Sequence, residues 1–180
     1  FNALAPADQA TWTAEAEALA AAASVSFTTA GLAVASDSVW DGGTTAIAIA
    51  KGIDVGLGSD IVGNEGEIDA RADATTASVA ASIAVSGVAG AVANATGDSF
   101  ATAIDTGGGV DADDVTNSGR LTATSNTTAV SAAIGFTTEG VAVAGNAAWD
   151  GGTRATATAT GIDVGGGADR VSNAGEIEAT

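Results

Sequence analysis

Apolar and polar residues alternate one by one over much of this chain. "GLAVAS", "TTAIAIAKG", "SIAVSGVAGAVAN", "GVAVAG" and "TRATATATG" all keep a period of two. Gly, Asn and Asp break the alternation at spacings of roughly 6–12 positions, which suits strands joined by turns. The stretch Thr13–Ser24, "TAEAEALAAAAS", carries the Ala and Glu content of a helix. It aligns, however, with "TATSNTTAVSAA" further along, and the alignment predicts strand there too.

The alternating segments recur in larger units. "GIDVGLGSDIVGNEGEIDA" (Gly52 to Ala70) returns as "GIDVGGGADRVSNAGEIEA" (Gly161 to Ala179). A blurred copy, "AIDTGGGVDADDVTNSGRLTA" (Ala103 to Ala123), stands between them. The offset that carries Ile53 onto Ile162 also carries Phe27 onto Phe136, Trp40 onto Trp149 and Thr44 onto Thr153. Three units follow, approximately 10–66, 67–119 and 120–175, within a single domain. The outer two resemble each other most, and the middle one is shortened at "NATGDSF", where the others read WDGGT.

Short strands without helical linkers cannot each bury a face alone. Stacked as coils, they pair every backbone group with the coil above and below. The expected fold is all-β: a parallel β-helix (β-solenoid), right-handed by the general preference of parallel crossovers, with a narrow Ala/Val-lined core. Units of this length predict two or three coils each. Lys51 faces water, so parity sends Ala46, Ala48 and Ala50 inward and leaves Ile47 and Ile49 outside. Those two either belong to a partner surface or lie at a local bulge that reverses the faces.

Composition narrows the function. Hydrophobic residues make up 46%, mostly Ala and Val, with 25 Gly and 1 Pro, which favours thin layers of small side chains over a thick core. The formal charge is -17, with 5 basic and 22 acidic residues. That excludes nucleic acid and anionic lipid as partners and is compatible with divalent cations. Cys and His are absent, which removes disulfides, zinc sites and Ser-His-Asp or Cys-His catalysis within the chain. No apolar run approaches the ~20 residues of a membrane helix, so no membrane insertion is expected. The start at Phe1 reads as a processed subunit or a piece of something longer. The end at "GEIEAT" reads as mid-unit, and neither terminus has the look of a cap.

Four motifs carry candidate chemistry. "GLGSD", "GGGVDADD" and "GGGAD" resemble the GGxGxDxUx nonapeptide of RTX calcium-binding β-rolls. The resemblance implies hard-oxygen calcium sites at Asp60, Asp111, Asp113 and Asp169, with Asp54, Asp105 and Asp163 as further oxygens. Each unit has one such turn, whereas RTX turns follow one another directly; the other reading is a Gly-rich turn capped by a solvated Asp. "NEGEI", "NSGRL" and "NAGEI" are Asn-x-Gly turns, in which Asn and Gly tolerate positive φ. Taken together, "GID-x-G-x-G-x-D-x-V-x-N-x-G-x-I-x-A" resembles repeats of large secreted bacterial β-solenoid proteins of the adhesin and haemagglutinin type. That implies an extracellular or cell-surface structural role. "WDGGT" at Trp40 and Trp149 either plugs a coil corner or stacks on a sugar. "RATATATG" from Arg154 is similar to ice-binding threonine rows, but the matching row of the first unit reads "TAIAIAKG".

A carboxylate-pair enzyme acting on polysaccharide is the remote alternative; nothing singles out such a pair, and no enzyme activity is expected. The main expectation is a structural repeat that forms a filament, sheath or surface layer by end-to-end or lateral stacking. Its partner is then itself, as a homopolymer or a longer array, with any surface or glycan ligand unnamed. The alternative is a calcium-stiffened adhesin stalk or binding module.

Overall fold

The computed structural model describes residues 11–36, 43–145 and 152–180, which carry ten strands. These are β1 (Thr11–Ser36), β2 (Thr44–Asp54), β3 (Ile61–Asn64), β4 (Glu67–Val92), β5 (Ala95–Asp105), β6 (Asp114–Asn117), β7 (Arg120–Gly145), β8 (Arg154–Asp163), β9 (Arg170–Asn173) and β10 (Glu176–Ala179). Among these residues all pairing is parallel, in three sheets ordered β1-β4-β7-β10, β2-β5-β8 and β3-β6-β9. The chain is therefore all-β with parallel strands in stacked sheets, an arrangement compatible with a β-helix. The Ala- and Glu-rich stretch from Thr13 to Ser24 lies wholly in β1.

Each strand pairs with the strand three places later, so the chain visits all three sheets before returning to the first. Thr11 pairs with Glu67, Glu67 with Arg120, and Arg120 with Glu176. One repeat unit thus makes one coil, and the expectation of two or three coils per unit is wrong. The reason is that the alternating segments join into long sides. β4 runs outward, bends near Gly87 and comes back, so that Ala80 and Ala91 meet in one buried cluster. The ladder skips Thr29, Val85 and Thr138 at this bend. Beside the skipped residues, Gly31, Gly87 and Gly140 have φ of 101°, 122° and 132°. Several other glycines that look like turn signals lie inside strands. A Cβ on Gly97 would stand 2.6 Å from Thr127 Cγ2, so that glycine answers to the close approach of the opposite side.

The space between the two sides of each coil is filled by small residues. Ala70, Ala72, Ala103 and Ala123 are buried, as are Ser78, Ser82 and Ser99. The buried hydroxyls bond across the interior. Ser99 Oγ lies 2.7 Å from both Ser125 Oγ and Thr127 Oγ1, and Ser82 Oγ donates to the Ala33 carbonyl at 2.8 Å. The largest apolar buried residues, Ile68, Ile104, Leu121 and Val115, gather at the end nearest the Gly-rich turns. Each large aliphatic side chain buried there contributes ~1.5–3 kcal/mol, so this end anchors the stack. In β2, Ala46, Ala48 and Ala50 are buried while Ile47 and Ile49 are 55% and 58% exposed; the strand alternates without a reversal of its faces.

Candidate functional site

The three Gly-rich turns stack into columns, because each lies at the same point of its coil. Gly56, Gly107 and Gly165 adopt φ of 86°, 91° and 68°, where an L side chain is strained. Close approach adds a second requirement. A Cβ on Gly107 would stand 1.9 Å from the Gly56 carbonyl oxygen, and one on Gly165 would stand 2.2 Å from that of Gly107.

The carboxylates that flank these glycines form two further columns. Asp54 pairs with Asp105 and Asp105 with Asp163 in the ladder, so three carboxylates follow one another at the strand spacing of ~4.8 Å. Lys51 spans the first two: its Nζ lies 2.8 Å from Asp54 Oδ2 and 2.6 Å from Asp105 Oδ2. The lower two also fold back on their own turns. Asp105 Oδ1 accepts the Gly107 N–H at 2.8 Å, and Asp163 Oδ1 accepts the Gly165 N–H at 3.1 Å. The hydrogen bonds of Asp105, then of Asp54, raise the Lys51 ammonium pKa well above its usual value. Burial is the largest influence on Asp105 and pushes its pKa up. The Lys51 hydrogen bond, the Gly107 N–H and the Lys51 charge together outweigh it, and Asp105 titrates below the usual carboxylate range.

The second column is Asp60, Asp113 and Asp169. Asp113 Oδ1 accepts the Asp60 N–H at 2.8 Å, and Asp169 Oδ1 accepts the Asp113 N–H at 3.0 Å, so each carboxylate caps the coil before it. The other oxygen of Asp113 accepts from Thr106 Oγ1 at 2.7 Å. Asp60 Oδ2 is buried and has no hydrogen-bond partner among the described residues. Asp111 is exposed at the surface of the middle turn. The seven aspartates of the sequence reading thus fall into two columns plus one isolated residue. Among the described residues, no three acidic side chains converge as a metal-holding group. Both oxygens of Asp105 and Asp113, and one each of Asp54, Asp163 and Asp169, are instead taken by backbone N–H groups, Thr106 or Lys51. Lys51 and Thr106 carry no motif signal; only alignment of the ladder shows what they meet.

The Asn-x-Gly turns form the most regular column. Asn64 Nδ2 donates to Asn117 Oδ1 at 2.7 Å, and Asn117 Nδ2 donates to Asn173 Oδ1 at 2.7 Å. Each amide also donates to the carbonyl two residues on, at Gly66, Gly119 and Gly175. The expected positive φ is not found: among the described residues no non-Gly residue has one, and none of these three glycines does. Contact between coils explains these glycines instead. A Cβ on Gly119 would meet the Gly66 carbonyl oxygen at 1.9 Å, and one on Gly175 would meet that of Gly119 at 1.9 Å.

Beside these turns runs a shallow polar groove with Glu65, Glu67, Ser118 and Arg120 on its walls. Of the β8 threonines only Thr160 stands on another threonine, Thr102, whereas Thr156 pairs with Asp98 and Thr158 with Phe100. The tryptophans of the WDGGT segments, Trp40 and Trp149, lie outside the described residues. No protein-family model, curated protein or solved structure matches the chain.

Proposed function

We infer that this chain is a structural repeat element of an extracellular or cell-surface assembly. It is a right-handed β-solenoid with a narrow Ala/Val-lined core, of the kind seen in secreted adhesin-type repeats, and it acts without catalysis. Its units build a filament, a sheath or a surface layer by end-to-end or lateral stacking. The observation that carries this reading is the pairing itself. Every column is a parallel ladder of like positions, and among the described residues a strand paired on one side only stands at either end of each sheet, as with β1, β2 and β8. Such edges accept further strands of the same register. Negative-stain electron microscopy of the purified chain tests it: fibres or sheets of uniform width support assembly, and isolated short rods at high concentration overturn it.

The second reading is a calcium-stiffened stalk or binding module that presents a ligand elsewhere. It is favoured by one atom, the buried and unpartnered Asp60 Oδ2, which a hard cation would satisfy. The same microscopy in millimolar calcium and then in chelator separates the two. Rods that stiffen and straighten with calcium support the stalk, and indifference to the ion leaves the aspartates as turn caps.

A further inference from the structure

The outward side chains of the long strands divide into two zones. Toward the Gly-rich end they are charged or polar, with Glu15, Arg71 and Thr124 in one column and Glu17, Asp73 and Asn126 in the next. Toward the bend, four successive outward columns, from positions 21 to 27 and their ladder partners, carry no polar side chain. The column nearest the bend is Phe27, Ile83 and Phe136, and these are 64%, 39% and 56% exposed. On a chain of net charge -17 this is a flat, uncharged, apolar sheet face.

Its relief is regular. The column of Val25, Ala81 and Ile134 reads large-small-large, and its neighbour of Ala23, Val79 and Ala132 reads small-large-small. In these two central columns bulky residues and alanines alternate like the squares of a checkerboard; the flanking columns are mostly small on one side, Ala21, Ala77 and Val130, and bulky on the other, Phe27, Ile83 and Phe136. Rungs repeat along each column at the ~4.8 Å strand spacing, so the bulky residues of an alternating column recur at about twice that. A surface that fits must carry the same repeat, and another parallel stack of this sequence does, with its bulky residues over these alanines. An uncharged face also adds no local charge to the repulsion between like-charged molecules. Membranes offer no matching repeat.

We propose that this face packs against the same face of a second copy, joining two stacks side by side as two sheets ~10 Å apart. This rests on the structural reading above only in taking the partner to be a second copy, and it specifies the lateral contact. Its area sets its strength. Four columns of three rungs cover roughly 300 Å² per partner, against ~800 Å² for a standard interface. One pair of chains holds weakly, and the contact grows with each added coil.

The chain has no cysteine, so single cysteines report contacts directly. Val79→Cys lies within the face, and Val110→Cys, at a position 88% exposed in the Gly-rich turn, is the control. Under mild oxidation of the full chain, V79C is expected to form disulfide-linked dimers about tenfold faster than V110C. Added salt raises that rate by screening the repulsion between copies. Adding Ala81→Glu to V79C is expected to abolish the difference while circular dichroism remains unchanged. Equal rates for the two cysteines, or a V79C rate that A81E leaves unaltered, would overturn the proposal. Fibres in the microscope without V79C crosslinking would sink this contact alone. V79C dimers without fibres would keep the contact and sink the wider assembly.

Discussion

Replacing Asn117 by Ala removes the centre of the asparagine column. Asn117 is fully buried and makes two side-chain bonds between successive coils, one to Asn64 and one to Asn173, both at 2.7 Å. Each such bond contributes ~1 kcal/mol net. The Asn64 amide, also buried, keeps its Gly66 acceptor at 3.2 Å but loses the better one, and the missing carboxamide leaves a void. Together these add roughly 1–2 kcal/mol. The expected loss is therefore about 2–4 kcal/mol. Asn173→Ala is the matched control. Asn173 is exposed and gives up a single bond to the column, so its loss is about 0.5–1.5 kcal/mol. Urea denaturation followed by circular dichroism reads both. With a slope of ~2 kcal/mol/M, N117A lowers the midpoint by about 1–2 M and N173A by well under 1 M. Equal shifts, or a larger one for N173A, would refute the idea that the column holds the coils in register.

Other positions test the remaining contacts. Gly119→Ala places a methyl 1.9 Å from the Gly66 carbonyl oxygen, whereas Gly108→Ala meets nothing within 4 Å; thermal melts are expected to show a loss of several kcal/mol for the first and little change for the second. Ala103→Leu overfills a fully buried position between the two sides of a coil and is expected to cost ~1–3 kcal/mol in the same assay. Because the Asp105 pKa is lowered on folding, its contribution is present above the ordinary carboxylate value of 3.8 and fades as pH falls through the lower folded value. Lys51→Met removes the hydrogen bond and the charge that do most to lower it, so its destabilisation measured by urea should be clear at pH 7 and largely gone near pH 2; the same loss at both would contradict the pairing.

Much of this fold is legible in the residues, and the misses have physical causes. Alternation in "TTAIAIAK" orients β2, because Lys51 fixes the parity and the alanines follow. The matching sentences around Ile53, Ile104 and Ile162 mark positions that the ladder stacks directly. Coil length is not legible in the same way. Period-two alternation is identical in one long side and in two short ones, and a glycine that admits an opposing threonine, as Gly97 does, looks the same as a glycine that turns the chain. The Asn-x-Gly motif was visible as a turn, yet its use as a column depends on coils one unit apart being adjacent. A signal was available: Asn64, Asn117 and Asn173 hold the same position in every unit, two residues after Val62, Val115 and Val171 on the same face. For the aspartates, the residue type alone points to an ion, but Asp113 and Asp169 each give one oxygen to an N–H of the preceding coil, and Asp105 and Asp163 each give one to their own turn.

The claim on which everything else rests is that one repeat unit makes one coil. Thr75 and Thr128 are ladder partners on the outer face of β4 and β7, and both are exposed. Their Cα atoms lie at the parallel strand spacing of ~4.8 Å, within the range a disulfide spans. The double variant Thr75→Cys, Thr128→Cys in the full chain is therefore expected to close an intramolecular disulfide under mild oxidation, seen as a faster-migrating monomer on a non-reducing gel. With two or three coils per unit these residues would stand roughly 10–14 Å apart, and a monomer that stays fully reduced under those conditions would contradict the account.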